Sequence, residues 1–215
     1  MISKRTIAVF IAIAVVAVFL YFSVSLRELF LEYVVAIGDY LQKNKTLGAI
    51  IFVAISALSV LISPFSSVPL VPSAIMAWGN FLTFGLLIAG WMIGAIFAYL
   101  IGSFSRKKII ARFVSLEKIE YYKQKISARS QFFLVLLFRL AIPSEVAGYT
   151  LGIVQYNFNK YIIATFLSEV PFAFFTIYLG SVLISGRIPL FIGVVILGII
   201  LFFLPYRYFQ KKIKK

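Results

Sequence analysis

Three stretches without a charged side chain decide what this chain can be: Thr6–Leu26, Thr46–Ser105 and Ile188–Tyr206. A helix needs about 20 predominantly apolar residues to cross a bilayer. The first and third blocks suffice for one crossing each, and the second is long enough to cross and come partly back. With 62% hydrophobic and 13% charged residues and a mean hydropathy of +1.04, the 215-residue chain is predicted to be a one-domain integral membrane protein. The absence of cysteine and histidine removes disulfides, thiol catalysis, Ser-His chemistry and His-ligated metal sites. With Asp39 as the lone aspartate, a paired-Asp hydrolase is also excluded. The expectation is a protein that is not an enzyme and that takes no cofactor and no metal.

The net charge of +14 would suggest nucleic acid on a soluble protein. Here the basic residues gather at the ends of apolar blocks, the pattern that sets orientation and contacts anionic lipid. The expected partners are therefore membrane lipids, anionic ones especially, and not nucleic acid.

The stretch Gln131–Tyr161 organises the rest. It starts as an apolar run, then carries Arg139, Pro143 and Glu145 where a spanning helix should be uninterrupted. Irregular backbone and charge at membrane depth persist only inside protein or beside a water-filled cavity. This stretch is read as a broken, re-entrant hairpin lining a site. A second broken run precedes it: Pro64, Pro69 and Pro72 fall within nine positions of the charge-free block, and each removes a backbone donor.

Around these hairpins, residues 1–45 are predicted to hold a retained transmembrane helix (Thr6–Leu26) and an amphipathic segment. In the latter, Leu26, Phe30, Val34, Ile37 and Leu41 recur at helical spacing. Two readings stand for that segment, a helix lying in the interface and a connecting helix packed on the protein. The core, 46–185, divides into a hairpin at about 47–80, a helix over 81–104, a basic amphipathic helix over 106–129, a hairpin over 131–156 and a helix over 158–184. Residues 188–215 give a last span and a basic tail. On the 81–104 helix, Gly90, Gly94, Ala98 and Gly102 make one small-residue stripe that lets another helix approach closely; Gly148 and Gly152 add small residues to the second hairpin.

Charge selects the threading. If both broken runs crossed fully, the 106–129 segment, with eight basic residues against Glu117 and Glu120, would lie outside. With both runs re-entrant, the N-terminus, that segment and the tail all lie in the cytoplasm, as the positive-inside rule asks. The 81–104 and 158–184 helices then run in opposite senses. At an offset of 79, Pro64 meets Pro143, Asn80 meets Asn159, and Tyr99-Leu100 meets Tyr178-Leu179. The expected fold is thus an all-α polytopic membrane protein. It has two inverted repeats, each a re-entrant hairpin plus a transmembrane helix, with flanking transmembrane and amphipathic helices.

Three side chains could serve a headgroup or proton pathway. Arg139 suits a phosphate or carboxylate, or it pairs structurally with Glu145 or Glu169. Glu145 is either a proton carrier or an acid favoured at a helix N-terminus. Glu169, beside Pro171, is a proton carrier or the partner of Arg139. Asn80, Asn157 and Asn159 read as caps or turns, and the four prolines as helix breakers.

The run FRLAIPSEVAGYTLGI, then Phe158 and Tyr161, then IYLGS ending at Ser181, resembles the DedA superfamily, closest to its SNARE-associated or VTT-domain branch. PLVPSAIMAWGNFLTFG and GWMIGAIFAYLIGS echo the family in the first half, so the resemblance covers roughly 46–185. It implies an inner-membrane protein with two facing re-entrant hairpins. It also implies a role in moving lipids across the bilayer, as flippase or scramblase, or in proton-linked membrane homeostasis. The chain departs from the family pattern at two places. No second arginine follows Pro143, which lies one position later than usual, and Ser63–Ser73 holds no acidic residue. The leading expectation is a mover of phospholipid or polyprenyl-phosphate in the plasma or inner membrane. The alternatives are a proton- or ion-coupled transporter of a small solute and a non-transporting scaffold.

Overall fold

The computed structural model describes residues 24–62, 66–104, 115–124, 126 and 131–187, with the single positions 193, 197 and 207. Most of the expected first span, Pro64, most of the basic 106–129 segment and nearly all of the expected last span lie outside the described residues. Helices α1 (Val24–Lys43) and α2 (Lys45–Leu61) lead into a 3-10 turn (Val68–Leu70) and α3 (Val71–Phe104). Then come α4 (Leu116–Lys123), α5 (Phe132–Ala141), α6 (Ser144–Ile153) and α7 (Phe158–Ser185), and there is no strand among the described residues. Two of these helices, α3 and α7, are long and apolar enough to cross a membrane.

Local chemistry accounts for the breaks. Between α5 and α6, Ile142 is extended (φ −121, ψ 141) because the proline ring after it crowds the helical conformation. Pro143 opens α6. Ile62 is extended in the same way after α2 (φ −120, ψ 112). The proline-bearing run is not a continuous helix, since α2 ends at Leu61 and α3 begins at Val71; of the expected breakers it is Pro72 that does not break a helix. Pro69 sits in the 3-10 turn and Pro72 is the second residue of α3. A first-turn N–H has no helical partner to lose, so proline there starts a helix. The true interruption of α3 is Gly79 (φ 74, ψ 171), a conformation that residues with a Cβ rarely adopt. Gly186 (φ 66) closes α7 in the left-handed conformation.

The small residues of α3 hold two helices at once. Gly90 and Gly94 lie against Val53, Ser56, Ala57 and Val60 of α2. Four and eight residues on, Ala98 meets Gly148, and Gly102 meets Tyr149 and Gly152 of α6. In both pairs residue numbers rise together, so α2 and α6 run parallel to α3. A Cβ at Gly94 would fall on the Ala57 carbonyl oxygen, and one at Gly152 on that of Tyr99. Close backbone approach of this kind is how helices associate where lipid removes the hydrophobic drive.

Helix α7 runs antiparallel to α3. Near its start the Tyr161 hydroxyl donates to the Ala95 carbonyl at 2.7 Å, and near its end Ser181 Oγ donates to Asn80 Oδ1 at 2.8 Å. The buried core between them includes Leu87, Ala95, Phe138, Tyr149, Leu151 and Tyr161. On α1, Val34 and Leu41 are buried and Gly38 sits against Ser73 and Met76. Of the two readings of that segment, packing on the protein is the one these contacts support. Of the basic segment, α4 is described; Tyr122 lies 5.2 Å from the Phe138 ring and Ile126 is buried.

Overfilling the stripe should weaken the fold. Gly94→Val and Gly152→Val are each expected to cost about 1–3 kcal/mol, as overpacked cores do. Gly85→Ala, with nothing within 4 Å of the new methyl, should not destabilise. Denaturant unfolding in detergent micelles measures the difference.

Candidate functional site

The last turn of α5 carries Arg139 into the interior, where it is 2% exposed. Its Nη2 donates to Glu169 Oε1 of α7 at 2.7 Å, and its Nη1 donates to the Ser144 carbonyl at 3.3 Å. The Ser144 hydroxyl donates to the same Glu169 oxygen at 2.8 Å. One carboxylate oxygen thus receives a donor from each side of the Ile142–Pro143 break. The guanidinium carbon lies 5.6 Å from the centroid of the Tyr161 ring, within cation–π range. Arg139 Nε, also buried, has no hydrogen-bond partner.

Helical periodicity puts the α7 members of this group together. Tyr161, Thr165 and Glu169 are spaced by four, so they share one face, and all three are buried. Tyr161 also stacks on Tyr99 of α3 with centroids 4.8 Å apart, and the Tyr99 hydroxyl donates to the Tyr156 carbonyl. Removing two charges from water costs several kcal/mol per ion, which attraction offsets only when geometry and extra hydrogen bonds are good. Ser144 and Tyr161 supply that support.

A cavity of about 290 Å³ opens where the two helix breaks meet. The first half contributes Ser59, Ser67 and Trp91, and the second contributes Arg139, Glu145 and Glu169. Trp91 Nε1 donates to Ser67 Oγ at 3.3 Å, the Ser59 and Ser67 hydroxyls are 3.3 Å apart, and Ser59 Oγ donates to the Ser56 carbonyl at 2.7 Å. Val60, Ile142 and Phe172 make apolar wall. The Tyr149 hydroxyl donates to the Leu61 carbonyl at 3.1 Å, tying α6 to the end of α2. Among the described residues, one side of the cavity is uncharged hydroxyl and indole, and the other holds all its charge.

The structure brings Arg139, Glu145 and Glu169 to this one cavity and pairs the arginine with Glu169. Glu145 is half-buried in the first turn of α6, a position that favours an acid. Pro143 stands at the cavity edge, whereas Pro69, Pro72 and the stripe of Gly90, Gly94, Ala98, Gly102, Gly148 and Gly152 do not line it. Asn157 caps α7, its side chain accepting from the Lys160 N–H at 3.0 Å. Sequence reasoning missed Ser59, Ser67, Trp91 and Ser144, and it saw Tyr161 only as part of a family pattern. A usable signal existed for Tyr161: its spacing of eight from Glu169 on one long helix.

Among its described residues the chain is all-helical, with two helices long and apolar enough to cross a bilayer and an ion pair buried between α5 and α7. The VTT domain profile matches residues 63–182, and the chain belongs to that family, the DedA/SNARE-associated membrane proteins. No curated protein and no solved structure matches it.

The pair should behave as a unit. Glu169→Ala strands a buried guanidinium and is expected to lower stability by about 3–5 kcal/mol. Arg139→Met combined with Glu169→Leu should recover much of that loss. A double-mutant cycle of unfolding free energies reads the coupling.

Proposed function

We propose that this protein moves lipids across the bilayer, as a scramblase or flippase, through a groove between two re-entrant hairpins. The first hairpin is α2 with the arm of α3 before Gly79, and the second is α5 with α6. Each precedes a long helix, and the antiparallel course of α3 and α7 fits inverted repeats of the kind secondary transporters use. The observation that carries the reading is Arg139: buried in the wall of the cavity, with its Nε unpartnered. A guanidinium fork suits a phosphate. In the groove a headgroup crosses past Arg139 and the Ser59–Ser67 hydroxyls while the acyl tails stay in the bilayer.

In this reading the protein is a transporter and not an enzyme, its ligands are membrane lipids, and it needs no cofactor. The basic segments face the cytoplasm at the plasma or inner membrane, against anionic lipid.

Reconstitution into liposomes with acyl-labelled phospholipid in both leaflets tests the reading. An impermeant quencher should remove more than the outer half of the signal without leak of a soluble dye. Arg139→Lys should slow the movement about ten- to hundredfold, the factor for losing a charged hydrogen bond of about 1.5–3 kcal/mol. Loss of the outer half alone, across several lipids, would overturn lipid movement. An unchanged rate in Arg139→Lys and Arg139→Ala would remove Arg139 from it.

A further inference from the structure

Charge balance in the cavity says which headgroups it accepts. Among the described residues, its wall holds one cationic and two carboxylic side chains: Arg139, Glu145 and Glu169. Arg139 and Glu169 neutralise each other at 2.7 Å, which leaves the carboxylate of Glu145 outside that pair. The first half adds hydroxyls and an indole but no charge, and Val60, Ile142 and Phe172 make the surroundings apolar. A phosphate arriving beside Arg139 therefore enters a cavity whose described wall already holds more carboxylates than cations. Like charges in such surroundings repel strongly, and a buried charge without a partner is costly.

Resting on the lipid-moving reading above, we infer that Glu145 is the specificity-determining residue, selecting headgroups that carry an ammonium beside their phosphodiester. The phosphate is drawn to the Arg139 end of the cavity, and the ammonium takes Glu145, six residues on across the Pro143 break. Headgroups with a phosphate and no cation, such as a glycerol phosphodiester or a polyprenyl phosphate, leave two carboxylates and a phosphate against one guanidinium. They are disfavoured.

The test uses the full chain in phosphatidylcholine vesicles at neutral pH. Two acyl-labelled probes are compared: phosphatidylethanolamine and its N-acetylated form, which keeps the phosphate and loses the ammonium. The wild type should move the amine about tenfold faster, the ratio that about 1.4 kcal/mol of preference gives. Glu145→Gln should collapse that ratio towards unity, and Glu145→Asp, which keeps the charge on a similar side chain, should retain a preference for the amine. Equal rates for the two probes in the wild type, or a ratio that Glu145→Gln leaves unchanged, overturn the inference while lipid movement stands. If neither probe moves, the lipid reading falls and the inference with it.

Discussion

The buried bond between Arg139 and Glu169 is the contact on which the site depends. An arginine eight residues into an apolar helix is tolerable only with a partner at hand, and α5 must lie on α7 for that partner to arrive. Ser144 ties α6 into the same bond through both its carbonyl and its hydroxyl. The Ile142–Pro143 break is thereby held from both ends instead of swinging as a loose joint. Tyr161 extends the group to α3, with one ring face under the guanidinium and its hydroxyl on the Ala95 carbonyl. Four helices therefore fix the position of one cation.

The second constraint is backbone approach. Helices α2 and α6 contact successive halves of one stripe on α3. The ends of both broken segments are thus brought to the same level, and the cavity forms between them. The Tyr149–Leu61 hydrogen bond closes the arrangement on one side. Charge placement follows from the same geometry: Thr46–Phe104 holds no charged residue, so among the described residues every ion at the cavity comes from α5, α6 and α7.

Long, uninterrupted signals were legible in the sequence. Charge-free blocks located α3 with its flanks, the Arg139–Pro143–Glu145 group located the second break, and Asn157 and Gly186 mark the ends of α7. Pairings across the fold were not legible. Glu145 and Glu169 were equal candidates for Arg139, because sequence separation says nothing about which helix α5 lies on. The hydroxyls of Ser59 and Ser67 and the indole of Trp91 are too common in apolar runs to stand out. Pro72 was misread because a proline's effect depends on its place in the helix, and the start of α3 falls earlier than the point where the apolar run resumes. The amphipathic face of α1 had two possible covers, and only the contact of Gly38 with Ser73 and Met76 distinguishes them.

The stripe on α3 also divides the chain into positions that can vary and positions that cannot. At Gly90, Gly94, Gly102, Gly148 and Gly152 a single added carbon meets a neighbouring helix, so these sites are closed to change whatever the ligand. Ser59 and Ser67 line the cavity with their hydroxyls and are absent from the close contacts of the stripe, whereas Trp91 reaches the cavity from the core. A lineage of such proteins can therefore rewrite the two hydroxyls of the uncharged wall without disturbing the helix contacts behind them. The fold keeps its rigidity and its adaptability on separate sets of residues.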